Sequence, residues 1–351
     1  MKRISKEKFL KMLEAGEPVR QVSLQGQNFR GVTFGGGLCD EVDFRDGQLQ
    51  ESSFNGLVLS QCQFDRAVLD GADLQQVPFK ECSFQESSCR NIKGDSVKLV
   101  SCEAQHSNWQ GADLKNAAFV KTDLQHAIFS QSELQQPNWI ECKLENADFS
   151  GSILVKAVFS QANLETAILS NVVFQQCIFH LSRLRGQDLS GLNLNLSQFT
   201  EADMQEVNFA GAQLQQCGFK GALLGGADFT QADLTQAVLV EVRADATIFS
   251  GANLLQALLP DAHLRGANFR GACLEQVILH RAQCVEADFT DASLVYADFS
   301  HADIRGGCFD GVSTKQTKFH LALREHVRFP GGASILGDDE ELARAEYWSS
   351  P

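Results

Sequence analysis

Histidine, the side chain most often used to hold metal ions in proteins, is grouped in two places along the chain. His106 and His126 lie twenty residues apart, and His280, His301 and His320 lie near the C-terminal end. A zinc site needs three or four ligands in tetrahedral geometry, so each group would require further well-placed ligands. We therefore predict that the protein holds no metal and no other cofactor.

Carboxylates are the most abundant reactive groups, with 44 aspartates and glutamates against 30 lysines and arginines. They are scattered along the sequence, and no inserted loop offers a lid or a pocket that would perturb their pKa values. Acid–base and nucleophilic catalysis need paired groups in a sheltered site. The sequence therefore predicts that the protein is not an enzyme.

The elements that position these residues follow a period of five. From Leu24 to Phe329 a bulky apolar residue recurs at every fifth position with few exceptions, and the residue two places before it is small, most often alanine. This period fits neither an amphipathic helix nor an alternating strand. A fixed short period is typical of stacked arrays, in which neighbouring repeats bury one another. The other three positions are polar or glycine and should face water.

Two segments show the repeat in full, Ala-Asp-Leu-Thr-Gln (232–236) and Ala-Asn-Phe-Arg-Gly (267–271). On these motifs the chain resembles the pentapeptide-repeat family, whose consensus is Ala-(Asp/Asn)-Leu-X-X. The resemblance implies an all-β fold, a right-handed quadrilateral β-helix of about 15 coils with four pentapeptides in each coil. Strands of successive coils would then lie about 4.8 Å apart.

The bulky residues also show a twenty-residue period, as four repeats per coil require. One wall reads phenylalanine from Phe209 to Phe309, and the opposite wall is aromatic from Phe119 to Phe219. The two walls between them are mostly leucine. Four walls of distinct composition predict a four-sided coil.

Both ends of a stacked array need covers, because the terminal coils have no neighbour. We predict an N-terminal capping helix within residues 1–21, a β-helix over 22–331 and a C-terminal tail with a capping helix over 332–351. Ser5 can cap a helix through Lys6–Ala15, and Gly16 would stop it. Its apolar face would consist of Phe9, Leu10 and Leu13.

The second helix is predicted over Glu340–Trp348, after Asp338 and Asp339. Leu342, Tyr347 and Trp348 are available to pack on the last coils. The alternative is that this helix mediates dimerisation of the protein instead of capping the coils.

The wall that carries Phe119 to Phe219 has unusual outer positions, and we call it the apolar wall. Residues beside its inward centres should be polar, yet many are valine or isoleucine. Long outward apolar strips usually mark contact with a partner, although β-branched residues also simply suit a strand surface. The predicted protein-binding residues are Val120, Ile140, Val158, Ile178, Val238 and Ile278.

A net charge of −14 disfavours nucleic acid as a ligand, because phosphate binding needs a basic surface. It permits imitation of DNA, since some pentapeptide-repeat proteins resemble a B-form duplex and occupy the DNA site of DNA gyrase. The acidic wall is the side with the most carboxylates, namely Asp43, Asp123, Glu145, Asp203, Asp245 and Asp303. It also carries basic residues, namely Arg183, Arg185, Arg243, Arg265 and Arg305.

The repeat weakens between residues 89 and 109, where Cys89, Gly94 and Ala104 replace bulky centres. A glycine centre underfills the interior, so two interpretations remain. The segment is either a tolerated packing lapse or a bend that shapes a binding surface.

Nine of the eleven cysteines occupy inward positions of the repeat, where a free thiol serves as a compact hydrophobe. This placement favours a reducing compartment over a disulfide framework. No run of 18 apolar residues exists, so nothing should span a membrane. The expected location is the cytoplasm.

These observations predict a non-catalytic binding scaffold that holds an unidentified protein partner, with no direct nucleic-acid or membrane binding. Self-association through the apolar wall or the C-terminal helix is an alternative use of the same surfaces. Residues 13–26 resemble the start of pentapeptide-repeat proteins that accompany type VI secretion effectors, which implies an adaptor role. The alternative function is an acidic DNA mimic that binds a type II topoisomerase.

Overall fold

The computed structural model describes residues 1–327, 329 and 334–349. The chain divides into two compact units, Met1–Ser182 (unit 1) and Arg183–Pro351 (unit 2). Each unit is a β-solenoid of parallel, stacked coils. That residues 22–331 form one continuous domain stays a prediction, and the predicted boundary between 331 and 332 lies outside the described residues.

The regular elements are short, as the five-residue period requires. Two helices lie at the two ends of the chain, α1 (Lys6–Glu14) and α2 (Glu340–Ser349). The strands are β1 (Lys2–Arg3), β2 (Val19–Arg20), β3 (Val22–Ser23), β4 (Gly37–Asp40), β5 (Leu57–Ser60), β6 (Pro78–Lys80), β7 (Lys98–Val100), β8 (Ala118–Val120), β9 (Glu133–Gln135), β10 (Asn138–Ile140), β11 (Ile153–Val155), β12 (Val158–Ser160), β13 (Val173–Gln175), β14 (Ile178–His180), β15 (Lys315–Lys318) and β16 (Ser334–Leu336).

In unit 1 a nine-stranded parallel sheet runs β14-β12-β10-β8-β7-β6-β5-β4-β2, and a three-stranded sheet runs β13-β11-β9. The register is twenty residues throughout, for example Phe159 beside Phe179. Elsewhere the coils are joined by single bridges with the same spacing, such as Asp228 with Ile248 in unit 2. Four bridges per coil, five residues apart, confirm the four-sided coil that the sequence predicts.

The interior is filled by the two inward positions of each pentapeptide, which are buried in nearly every repeat. Aromatic centres stack coil upon coil, as the walls of the sequence predict. The ring centroids of Phe249 and Phe269 lie 4.8 Å apart with planes 4° from parallel. Each fully buried side chain of this size contributes about 1.5–3 kcal/mol to folding.

Corners of the coils adopt left-handed backbone, often without glycine. Gln216, Gln236, Gln256 and Gln276 have φ of 57–58°. Their side-chain amides form a ladder in which each Nε2 donates to the Oε1 of the next coil at 2.8–2.9 Å. The ladder offsets part of the cost that left-handed backbone imposes on a residue with a Cβ atom.

Helix α1 covers the first coils of unit 1. The Ser5 side chain accepts a hydrogen bond from the Lys8 N–H, which confirms the predicted cap. Phe9 is fully buried, and its ring lies 5.7–5.9 Å from three phenylalanine rings of the coils beneath. Leu13 is also buried, whereas Leu10 is half-exposed.

Helix α2 forms where the sequence predicts it, and Asp339 caps it by accepting from the Glu341 and Leu342 N–H groups at 3.0 Å. Its aromatic residues do not pack as expected, because Tyr347 and Trp348 are 85% and 88% exposed. No helix in the described ranges is long and apolar enough to cross a bilayer.

Candidate functional site

The apolar wall of unit 1 is the outer face of the nine-stranded sheet. Each of its last four strands has three residues, with an aromatic centre pointing inward and two neighbours pointing outward. In β14, for example, Phe179 is buried between Ile178 and His180. The two-residue periodicity of a strand thus forces whatever flanks the centre onto the surface.

Four of the predicted binding residues lie on this face as two registered pairs. Ile140 is beside Val120, and Ile178 is beside Val158, in adjacent strands. Ile178 is 39% exposed, and the other three are half-buried. Val100, in register with Val120, extends the first pair by one coil.

The other two predicted residues belong to unit 2. Val238 and Ile278 each form a β-bridge with Leu258, which lies in the coil between them. The three residues therefore form one column, with Val238 and Ile278 two coils apart. Ile278 is exposed and Val238 is half-buried. Unit 2 therefore carries a shorter apolar column of its own.

A second apolar pair in unit 1 escaped the sequence prediction. Ile153 and Val173 are in register on the three-stranded sheet and are 38% and 45% exposed. The chain passes from Val173 to Ile178 around a single corner, so the two pairs lie on adjacent walls. Both residues stand directly before an inward centre, the same outward position that Val158 and Ile178 occupy on the neighbouring wall. A β-branched residue at this position was the sequence signal for the pair.

We refer to seven of the exposed and half-exposed apolar residues of these two adjacent walls as the unit 1 patch. It consists of Val100, Val120, Ile140, Ile153, Val158, Val173 and Ile178.

Part of the acidic wall is neutralised by its own cations, which pair with Asp43, Asp123 and Asp303. Asp43 is buried, and its carboxylate accepts two hydrogen bonds from the Arg45 guanidinium at 2.9 and 3.0 Å. Burial alone would raise the pKa of Asp43, but the hydrogen bonds from Arg45 and Ser23 outweigh it and lower the pKa. Arg305 pairs with Asp303 at 2.7 Å in the same manner. These ion pairs weaken the negative field that a DNA mimic would present.

The segment 89–109 keeps its register without a bulge, because the bridge between Ser88 and Asn108 and the one between Lys93 and Asp113 continue the twenty-residue spacing. A Cβ atom on Gly94 would lie 2.9 Å from the Leu114 side chain, so the missing centre is already filled by its neighbours. In the next coil the fully buried Trp109 adds further volume. This packing favours the interpretation of a tolerated lapse.

The buried thiols are unsuited to nucleophilic chemistry. Nine of the eleven cysteines are buried, and only Cys273 and Cys308 are partly accessible. Burial raises the pKa of Cys177 to about 11 and that of Cys217 to about 12. The reactive form of cysteine is the thiolate, which is scarce at such pKa values.

The two histidine groups differ in what surrounds them. The rings of His106 and His126 stack on the surface, with centroids 4.6 Å apart and planes 5° from parallel. His301 and His320 meet Glu346 of helix α2, which the sequence analysis did not connect with them. No repeat pattern links Glu346 to the coils, so only the folded chain shows this contact.

Two family profiles match the sequence. The profile described as Pentapeptide repeat region matches residues 62–139 and 212–289. The profile described as Pentapeptide repeats (8 copies) matches residues 142–180, 177–216 and 282–313. Together they span residues 62–313 with only 140 and 141 left out. No curated protein sequence matches this chain.

Several solved structures share the solenoid. Trypsin-treated QnrB1, a plasmid-mediated fluoroquinolone resistance protein, is 23% identical, with 56% of this chain and 92% of that chain covered and a TM-score of 0.30. HetL of Nostoc sp. strain PCC 7120, involved in heterocyst differentiation regulation, is 21% identical, with 79% and 97% covered and a TM-score of 0.18. Rfr23 of Cyanothece 51142 is 20% identical, with 41% and 91% covered and a TM-score of 0.21. At these scores the structures carry no information on function.

Proposed function

Because this chain belongs to the pentapeptide-repeat family, we propose that it is a non-catalytic scaffold whose unit 1 patch binds a protein partner. The observation that carries this proposal is the placement of apolar side chains at outward strand positions. Ile178, Ile153 and Val173 each expose more than a third of their surface. Ordinary solvated strands place polar residues at such positions.

The patch has the properties of a protein-binding surface. Its residues are carried by two hydrogen-bonded sheets, so they are held rigidly and lose little conformational freedom when a partner binds. Their β-branched side chains have few rotamers, which lowers the entropic cost further. A partner that presents its own apolar strip would bury both surfaces. The column of Val238 and Ile278 in unit 2 is a second candidate contact by the same reasoning.

The proposal is tested with the double substitution Val158→Glu and Ile178→Glu. Binding of the partner, captured from the native cell and then purified, should weaken at least tenfold, because two carboxylates would have to be desolvated in the interface. The matched control is Ser150→Glu and Ser170→Glu, which adds the same charge at one half-buried and one exposed position of the wall opposite the nine-stranded sheet. Circular dichroism confirms that both variants fold.

Self-association is resolved in the same experiment. Analytical ultracentrifugation of the wild type and both variants shows whether the patch holds a second copy of the chain. An oligomeric state and a partner affinity that are both unchanged in the patch variant would contradict the proposal.

An accessory role beside a type VI secretion effector is the more specific form of this proposal. Its support is the resemblance of residues 13–26, where Leu13, Val19 and Val22 are buried in the N-terminal cap. Packing in the cap accounts for these three residues, whereas residues 14–18, 20, 21, 25 and 26 of the segment are exposed. A purified effector complex that retains this chain would support the adaptor role.

The alternative proposal is an acidic DNA mimic that acts on a type II topoisomerase, and the observation that favours it is the net charge of −14. The pairing of Asp43 and Asp303 with arginines weakens this alternative. A mimic should alter DNA supercoiling by purified gyrase, and Asp203→Lys should reduce the effect more than Ile178→Glu. A scaffold should leave supercoiling unchanged.

A further inference from the structure

The C-terminal end of unit 2 contains a cleft between the last coils and helix α2. Its volume is about 770 Å³, and its lining includes His280, His301, His320, Asp298 and Glu346. It is the place in unit 2 where imidazoles and carboxylates converge, and the proposed scaffold function does not use it.

Three of these side chains place their ligand atoms close together. Glu346 Oε2 lies 3.1 Å from His301 Nε2 and 3.4 Å from His320 Nε2. All three ligand atoms lie within 4.8 Å of one another, and no other such trio occurs in the described part of the chain. A tetrahedral zinc ion with bonds of about 2.0–2.1 Å holds its ligand atoms about 3.3–3.4 Å apart. The two separations from Glu346 are close to that geometry, and the third, between the two histidine nitrogens, is at most 4.8 Å.

The burial of His320 is an independent indication. The residue is only 4% exposed, and its Nε2 atom lies 3.4 Å from Glu346 Oε2 but forms no hydrogen bond of acceptable geometry with any described atom. Buried polar atoms almost always have a partner, and those that lack one call for an explanation. A metal ion bound at this nitrogen would supply one.

We propose that His301, His320 and Glu346 bind one divalent transition-metal ion, of the class to which zinc belongs, and that this ion fastens helix α2 to the last coils. Two imidazoles and one carboxylate are a ligand set suited to zinc, and water from the cleft can complete the coordination. Both histidines belong to the coils, whereas Glu346 belongs to the helix, so the ion would cross-link two separate elements.

The hydrogen bond to the other ring nitrogen of His320, Nδ1, would have to break when Nε2 binds a metal ion. His320 Nδ1 accepts from the Asp339 N–H at 3.0 Å, which leaves the ring proton of the neutral imidazole on Nε2. Binding through Nε2 moves that proton to Nδ1, so the Asp339 bond is given up. The ion then replaces this hydrogen bond as the link between coil and helix.

The surrounding charges do not oppose a cation. Lys318 lies 3.6 Å from Asp298, and Arg281 forms a 2.7 Å ion pair with Asp261. The nearby positive charges are thus matched by carboxylates.

The test is calorimetric titration of zinc chloride into the full-length chain after treatment with a chelator. We expect one zinc ion per chain, with an affinity at least tenfold lower in Glu346→Gln and in His301→Ala. Neither residue belongs to the core, so both variants should fold. The matched controls are Glu341→Gln on the same helix and His263→Ala in another coil, which should bind as the wild type does.

Cobalt provides a second readout, because the intensity of its visible absorption reports four-coordinate geometry. Trypsin cleavage after Arg344, which lies within α2, should slow when zinc is added. The absence of zinc binding, or binding that both Glu346→Gln and His301→Ala leave intact, would overturn the proposal. Normal zinc binding with unchanged cleavage at Arg344 would overturn the fastening role.

Discussion

Trp139 and Trp109 offer a matched pair for measuring the cost of a buried, unpaired N–H group. Both indoles are fully buried at centre positions of unit 1. The Trp109 Nε1–H donates to Ser107 Oγ at 2.6 Å, whereas Trp139 Nε1 is buried without a hydrogen-bond acceptor. Trp139 stacks between Phe119 and Phe159, at centroid distances of 5.9 and 4.7 Å. Phenylalanine therefore fits its column without a change of ring orientation.

The substitution Trp139→Phe should leave stability within about 1 kcal/mol of the wild type. The lost ring atoms and the resulting cavity lower the free energy of unfolding by about 2 kcal/mol. Removal of an unsatisfied buried donor raises it by about 1–3 kcal/mol. The substitution Trp109→Phe carries the same cavity cost and also loses a hydrogen bond worth about 1 kcal/mol. We expect it to be the more destabilising of the two by about 2–4 kcal/mol.

The assay is urea unfolding followed by circular dichroism and by tryptophan fluorescence. The chain has three tryptophans, and Trp348 is almost fully exposed, so each variant keeps one buried fluorophore in unit 1. The substitution Trp348→Phe is the control and should leave the unfolding midpoint unchanged. Equal destabilisation by Trp139→Phe and Trp109→Phe would refute the reasoning. Combining Trp109→Phe with Ser107→Ala gives a coupling energy that isolates the hydrogen bond.

Three further predictions concern charge, packing and thiols. Because the pKa of Asp43 is lowered in the folded protein, the carboxylate stabilises the fold at pH values above the ordinary pKa of about 3.9, and this stabilisation is lost as the pH falls below it. The difference in urea midpoint between the wild type and Asp43→Asn should therefore shrink between pH 7 and pH 3. Gly94→Ala should destabilise by about 1–3 kcal/mol, since its Cβ atom would meet a leucine methyl carbon at 2.9 Å. Gly225→Ala, whose nearest neighbour would lie at 3.9 Å, should leave the thermal midpoint unchanged. A thiol reagent should modify only Cys273 and Cys308 in the native protein and all eleven cysteines after unfolding.

The coil architecture could be predicted from the sequence because every link in it is local. The two inward positions can be identified within each pentapeptide. The twenty-residue spacing, as between Phe249 and Phe269, then predicts which residues stack in neighbouring coils. The N-terminal cap was equally accessible, since Ser5 and Phe9 lie within one helix whose boundaries have sequence signals. In these cases spacing along the chain determines the contact.

The contacts of helix α2 could not be predicted, because no period relates it to the coils. Its aromatic residues suggested packing, yet Tyr347 and Trp348 face outward, and Glu346 makes the contact with His301 and His320. The orientation of a helix on a solenoid end depends on surfaces formed by distant residues, which single-sequence patterns do not encode. The pair Ile153 and Val173 was missed for a simpler reason, since only one wall showed a long apolar column.

The twenty-residue register restricts how the length of either unit can change during evolution. Deleting one pentapeptide between Phe229 and Phe249 would rotate every later residue by a quarter turn, so that aromatic columns would run into leucine columns. Deleting a whole coil would return each side chain to a column of its own kind. Insertions and deletions of four repeats, one whole coil, should therefore be tolerated. Insertion or deletion of an odd number of repeats would instead place aromatic rings against leucine side chains in the interior.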